Sequence, residues 1–306
     1  MGRKSPYLQG SSKGQWVLGL LLLLALIVIG FVLRWYYQNT KQEPVTNQES
    51  SSQLISEPTN SSISEVEEPE KAQFDKQALE KVVFDWIDSL PASASSTASV
   101  SIVDTDNTFI TGFKIDRQYF TASLYKLYVA YEGYKAIDAG IYGPDEPYLS
   151  GKTRLQCLDA MIRSSDSPCG EKMWTELGKE KLDAAIKTYG IKNTSMVNLR
   201  TTSEDVATLL SLVARGEGLS EDSKSKFLDS MKDQDALYRR GLPSGFSDTV
   251  TVYNKVGWNE NLEYHDASIL ELPDRKQLIV TVLTSGVGTA KIRDLAAGLE
   301  AVLVAN

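Results

Sequence analysis

The sequence is poor in the side chains that build most metal centres and histidine-based triads. It holds one histidine, His265, and two cysteines, Cys157 and Cys169. A zinc site of the usual Cys/His type is nearly excluded by that count. A Ser-His-Asp triad would have to use His265 alone, and His265 reads as a surface residue at the start of a strand. There is no basic stripe and no interleaving of aromatic with basic residues, and the formal net charge is −8. Nucleic acid is therefore not an expected partner. Trp86, Trp174 and the tyrosines read as core rather than as a cofactor box. No cofactor and no metal are expected.

Charge is missing from one stretch. Trp16 to Leu33 is a run of eighteen residues without an ionisable side chain, bounded by Lys13 and Arg34. That is about the shortest run able to cross a bilayer. Trp16 at one edge, and Trp35, Tyr36 and Tyr37 at the other, suit the membrane interface. No small-x-small cleavage site follows, so an uncleaved anchor is expected rather than a signal peptide. Arg3, Lys4 and Lys13 favour a cytoplasmic N-terminus over residues 1–15 and an anchor over 16–36. The rest of the chain is then expected outside the cell membrane. Residues 37–72, with runs such as Glu65-Val66-Glu67-Glu68-Pro69-Glu70, cannot bury enough apolar surface to fold and read as a disordered linker. Asn60-Ser61-Ser62 matches a glycosylation acceptor by pattern alone.

Residues 73–306 have room for one domain with its own core. Apolar residues recur at helical spacing from Phe74 to Leu90, where Pro91 stops the run. Strands follow at 99–103 and 108–113, around the turn Asp104-Thr105-Asp106-Asn107. The middle of the chain is helical, with segments at 153–163, 169–177, 181–189, 203–215 and 220–231. Strand character returns at 249–253, 267–272 and 278–283, and 290–304 is a closing amphipathic helix. Strands at both ends with helices between predict an α+β domain. Its N- and C-terminal segments would share one antiparallel sheet packed against a helical block.

Ser123 and Lys126 stand within an apolar stretch, Tyr119 to Ala130. On a helix they share a face, one turn apart. A serine hydroxyl attacks poorly until something takes its proton, and a buried lysine loses its preference for the charged form. The pair is therefore a complete nucleophile and base. The same spacing recurs in Ser223-Lys224-Ser225-Lys226, inside a charged run, and there it reads as a solvated helix face. Two further polar clusters follow Ser123 in order. Ser165-Asp166-Ser167 lies in a loop before Pro168, and Lys255-Val256-Gly257 lies at a strand end before Trp258. An acyl-transfer site needs such a set: a nucleophile and base, a proton carrier for the leaving nitrogen, and a cation for an anionic substrate.

With these clusters the chain resembles the penicillin-recognising serine enzymes, specifically class A β-lactamases, to whose Ser-x-x-Lys, Ser-Asp-Asn and Lys-Thr-Gly elements they correspond in order, with one residue changed in each of the last two. The likeness spans roughly residues 74–304 and includes Leu237 to Pro243 and Thr201-Thr202. It implies that Ser123 is acylated, with Lys126 as its base. It implies that Ser165 passes a proton to the departing nitrogen, and that Lys255 supplies positive potential for a carboxylate and helps keep Lys126 neutral. Backbone N–H groups of Ser123 and Trp258 would form the oxyanion hole. Ser167, Val256 and Gly257 would contact substrate, and Asp166 would hold the loop. The implied partner is a small β-lactam or a cell-wall peptide.

The departures carry equal information. Ser167 stands in place of Asn. Val256 stands in place of Thr or Ser, keeping the shape without the hydroxyl. Class A enzymes carry a long loop before the Thr-Thr element, whose Glu and Asn activate the deacylating water. Here ten residues, Ile191 to Arg200, separate Gly190 from Thr201, without one carboxylate. Glu204 lies beyond, on the next helix. Slow deacylation is the expectation. Three functions remain open: a serine hydrolase opening β-lactams, a D-Ala-D-Ala-type cell-wall peptidase or transpeptidase, and a penicillin-recognising binding or sensor module without turnover. Cys157 and Cys169 flank the Ser165 loop and are either a disulfide bracing it or two separate small core residues. Of Arg239 and Arg240, one faces the site or both are solvated.

Overall fold

The computed structural model describes residues 74–259 and 262–304. The expected cytoplasmic segment 1–15, the anchor at 16–36 and the linker at 37–72 lie outside the described residues. Among the described residues no helix is long and apolar enough to cross a membrane.

The first helix, α1 (Lys76–Asp88), starts where the Asp75 carboxylate accepts the Ala78 N–H, and Leu79, Val83, Trp86 and Ile87 form its buried stripe. Strands β1 (Ala98–Asp104) and β2 (Phe109–Phe113) make the expected hairpin. A two-residue strand β3 (Tyr119–Phe120) leads into a 3₁₀ turn, Ala122–Leu124, and then into α2 (Tyr125–Asp138). The middle of the chain supplies α3 (Arg154–Arg163), α4 (Ser167–Leu177) and α5 (Lys179–Thr188). Strand β4 (Arg200–Thr201), helix α6 (Ser203–Arg215) and helix α7 (Glu221–Lys232) follow. Strands β5 (Thr251–Trp258), β6 (Tyr264–Glu271) and β7 (Gln277–Thr284) precede the closing helix α8 (Thr289–Leu303).

The sheet order is β2-β1-β7-β6-β5, antiparallel throughout. Its centre is the pairing of β1 with β7, with Ser101 opposite Thr281, so the two ends of the domain close one sheet as expected. The period-2 alternation of the strands makes two cores. Val100, Ile102, Val280, Val282 and Leu270 face one way and pack with α1 and α8. Ile279, Leu283, Ala267 and Ile269 face the other way and join the helical block around α2 and α6. The expected sheet-on-helices arrangement is therefore three layers, with the terminal helices covering the second face. Small polar residues let α6 approach the sheet closely. Ser99 Oγ meets Ser203 Oγ at 2.6 Å, and Thr281 Oγ1 donates to the Ser203 carbonyl at 2.8 Å.

Candidate active site

Ser123 is not on an α-helix, contrary to the spacing argument. Tyr119 and Phe120 pair with Thr201 and Arg200 instead, and Ala122 adopts a left-handed backbone, φ 43°, which an α-helix cannot include. The i to i+3 geometry survives in the 3₁₀ turn. Lys126 Nζ lies 3.1 Å from Ser123 Oγ. It also donates to the Ser165 carbonyl at 2.7 Å and reaches Ser165 Oγ and Ser167 Oγ, each at 3.3 Å. Lys255 Nζ approaches the same Ser165 Oγ from β5, at 3.0 Å, and donates to the Val256 carbonyl at 3.0 Å. Ser123, Lys126, Ser165, Ser167 and Lys255 are thus one connected cluster, drawn from three segments of the chain.

Each segment has a local reason for its place. The Asp166 carboxylate accepts the Cys169 N–H at 2.9 Å and caps α4, the structural role expected of it. Ser165 before it is left-handed, φ 54°, which turns its hydroxyl and carbonyl onto Lys126. A side chain at Gly170 would put Cβ 2.9 Å from Tyr125 Oη and 3.0 Å from Lys126 Cε. Glycine there lets α4 lie against the lysine. Gly257 does the same for β5: a Cβ there would fall 2.7 Å from the Thr121 carbonyl. Cys157 and Cys169 form a disulfide, Cα–Cα 5.2 Å, tying α3 to the first turn of α4.

Both lysines are fully buried. Burial lowers the Lys126 pKa to about 8, against the smaller opposing pull of Asp166 and Glu171. Lys255 is held well below the usual lysine range, first by burial and then by the charge of Lys126, with Asp266 opposing. Two ammonium groups around one hydroxyl, both out of water, resist carrying two charges.

Ser123, Ser167 and Trp258 line a cleft of about 390 Å³. Its walls add Tyr125, Glu171 and Trp174, with Leu199 from the short loop. Val256 is buried, and neither Val256 nor Gly257 is part of that lining. Trp174, expected in the core, is half-buried and turned to the cleft, its indole N–H donating to the Met196 carbonyl at 3.1 Å. Trp86 is core as expected. Among the described residues no cluster of ligating side chains could hold a metal ion.

His265 is at the start of a strand but not on the surface. It is fully buried, its Nε2–H donates to the Phe120 carbonyl at 2.9 Å, and its Nδ1 accepts the Thr284 N–H at 3.1 Å. Burial lowers its pKa to about 4, and it props up β3 rather than touching Ser123. Arg239 is half-buried and donates to the Val252 carbonyl and Asn254 Oδ1, each at 3.2 Å, while Arg240 is exposed. The second Ser-x-x-Lys is not wholly solvated either. Ser223 is buried and donates to Asp138 Oδ1 at 2.7 Å.

The loop from 191 to 200 folds back on itself through paired backbone bonds between Ser195 and Arg200. Two nearby carboxylates are occupied in holding it. Asp205 accepts from the Lys192 and Asn193 N–H groups and from Thr194 Oγ1, and Asp183 accepts from Ser195 Oγ and the Met196 N–H. Glu204 is exposed on the first turn of α6.

Residues 78–299 match the model of the beta-lactamase enzyme family, Beta-lactamase2. The chain belongs to that family. Solved structures of the same fold include PBP-A, at 21% identity and TM-score 0.63, covering 73% of this chain and 93% of that one. A point variant of PBP-A, at 20% identity and TM-score 0.63, was solved as an acyl-enzyme complex with penicillin G; 73% of this chain and 94% of that one are covered. A reconstructed last common ancestor of Gram-negative class A beta-lactamases matches at 19% identity and TM-score 0.66, over 73% and 98%. A beta-lactamase from Xanthomonas campestris pv. campestris matches at 16% and TM-score 0.67, over 73% and 98%. No protein of curated function matches the sequence.

The residues that the family resemblance singled out around Ser123 lie together, but the resemblance did not point to other residues of the cleft, Glu171, Trp174 and Leu199 among them. A signal for two of them was present. Ser167, Glu171 and Trp174 are spaced i, i+4 and i+7 on α4, so they share the face that starts at the Ser-Asp-Ser cluster. Leu199 had none, because its place follows from a left-handed backbone, φ 51°.

Proposed function

We propose that this member of the beta-lactamase family is a serine acylase whose Ser123 is acylated by β-lactams or related amides and released slowly. The observation that carries this is the 3.1 Å contact of Ser123 Oγ with a fully buried Lys126 whose pKa is lowered to about 8. An amine of that pKa is about one-tenth neutral at pH 7. The neutral Nζ takes the Ser123 proton as Oγ attacks the carbonyl carbon. The proton moves on through Ser165 Oγ to the leaving nitrogen, and the C–N bond breaks. A substrate carboxylate near Lys255 draws a proton onto that lysine by opposite charge, which in turn favours neutral Lys126. Backbone N–H groups of Ser123 and Trp258 receive the oxyanion.

Slow release is supported by the short loop at 191–200, which has no carboxylate of its own, and by the engagement of Asp183 and Asp205 with its backbone. The same feature supports a second reading, a cell-wall peptidase or transpeptidase in which an amine rather than water takes the acyl group. The intact cluster argues against a pure sensor. The proposal includes an N-terminal anchor at residues 16–36 with the catalytic domain outside the cell membrane, from the uncharged run of the sequence.

Intact-protein mass spectrometry after exposure to a penicillin tests this. The native chain should gain the penicillin mass, and Ser123→Ala should not. With a chromogenic cephalosporin, product should appear as a burst equal to the enzyme concentration, then slowly. An adduct of equal yield in Ser123→Ala would end the assignment.

A further inference from the structure

Among its lining residues the cleft beside Ser123 has one charged side chain, Glu171, and the acylation chemistry leaves it unused. It stands one turn along α4 from Ser167, and Trp174 and Thr175 continue that face along the cleft wall. The carboxylate is exposed and makes no ion pair among the described residues. The cations around it are engaged elsewhere. Lys172 pairs with Glu176 at 3.8 Å and Lys152 with Asp166 at 3.4 Å. Lys179 lies over the Trp174 ring, 3.8 Å from its centroid. Tyr125 and Trp174 meet at a ring separation of 5.6 Å and form the apolar floor next to it. The field of Glu171 reaches the reacting centre, since it is one of the charges favouring protonated Lys126. The site therefore has Lys255 behind Ser165, which a substrate carboxylate would draw into its charged form, and a carboxylate without an ion pair beyond Ser167. A substrate with a carboxylate at one end and an ammonium at the other matches both.

We propose that Glu171, with Tyr125 and Trp174, forms a cation subsite that selects acyl donors whose acyl side chain carries a protonated amine. This rests on the acylation of Ser123 proposed above. Lys179 already occupies a face of Trp174, so the rings supply packing and Glu171 supplies the charge. One such pair about 5 Å apart in a water-like dielectric changes a rate or affinity by about fourfold.

The test compares three penicillins on the full chain: the phenylacetyl compound, its α-amino derivative and its α-carboxy derivative. Second-order acylation constants are read from the growth of the adduct by intact-protein mass. The expected order is amino, then phenylacetyl, then carboxy, with an amino-to-carboxy ratio of roughly ten that shrinks in raised salt. Glu171→Gln should bring the ratio to about one, Glu171→Asp should keep most of it, and Glu171→Lys should invert it. An unchanged ratio in Glu171→Gln overturns the subsite while leaving Ser123 acylation standing. Slower loss of the adduct in Glu171→Gln at an unchanged ratio also overturns it, and marks Glu171 as a base for the hydrolytic water instead. No adduct with any of the three overturns the acylation reading and the subsite with it.

Discussion

Ser123 with Lys126, and Ser223 with Lys226, are the same four-residue pattern in two settings. In the second, the hydroxyl already donates to Asp138, and Lys226 pairs with Asp222 one turn back on α7. The lysine is partly exposed, so water and a carboxylate both stabilise its charge. In the first, Lys126 is fully buried and its hydrogen bonds go to neutral oxygens, those of Ser123, Ser165 and Ser167. The carboxylate that acts on it most strongly, Asp166, is engaged with Lys152 and the Cys169 N–H. Spacing brings a serine and a lysine together. Burial without an acid partner is what lowers the lysine's pKa.

The sharpest way to break this comparison is to remove each lysine in turn. Lys126→Met should slow Ser123 acylation by about 10²–10⁴-fold, the usual contribution of a positioned general base. Lys226→Met should change it by less than about twofold, as expected for loss of an exposed pair. Adduct formation followed by mass spectrometry measures both. Equal losses would mean that the two sites are not different in kind.

The next effect concerns what holds the first setting together. The Cys157–Cys169 disulfide, with a sequence separation of 12, ties α3 to the helix that carries Ser167; no such brace lies under Ser223. Replacing both cysteines by alanine should cost about 3 kcal/mol, or roughly 6–12 °C in Tm for a domain of this size. Scanning calorimetry reads the loss. A Tm within about 1 °C of the native value would show that the Asp166 cap holds α4 without help.

The smallest effect is at the second setting. Ser223→Ala removes one of three donors to Asp138, the others being the Ser220 N–H and Ser220 Oγ. About 1 kcal/mol of stability should go, seen in urea unfolding, with the acylation rate unchanged. A parallel fall in acylation would contradict the separation of the two sites.

How much of this was legible follows from which forces act locally. The antiparallel sheet closed by the chain ends, and the helices near 153–163 and 203–215, were readable because their apolar periodicity is strong and their caps are local. Thr153 and Thr202 cap α3 and α6 through their own side chains. The polar cluster was readable through motif order. What the sequence could not show are positions fixed by backbone geometry or by distant packing. Ala122, Ser165 and Leu199 are non-glycine residues at positive φ, so no propensity announces them. His265 was misplaced because its burial depends on β3, a strand of two residues that exists only by pairing with β4. Ser223 was misplaced because its partner, Asp138, is 85 residues away in sequence.

The central claim is that Ser123 is activated by a lysine that gives up its proton near neutral pH because it is buried. The pH dependence of the acylation constant tests it most directly. A lowered pKa means that the neutral, base form fills as pH rises through about 8. Acylation of the native chain by a penicillin should therefore rise about tenfold per unit below that pH and level off above it. An inflection at the ordinary lysine value of 10.5, or a rate independent of pH from 6 to 9, would contradict the account.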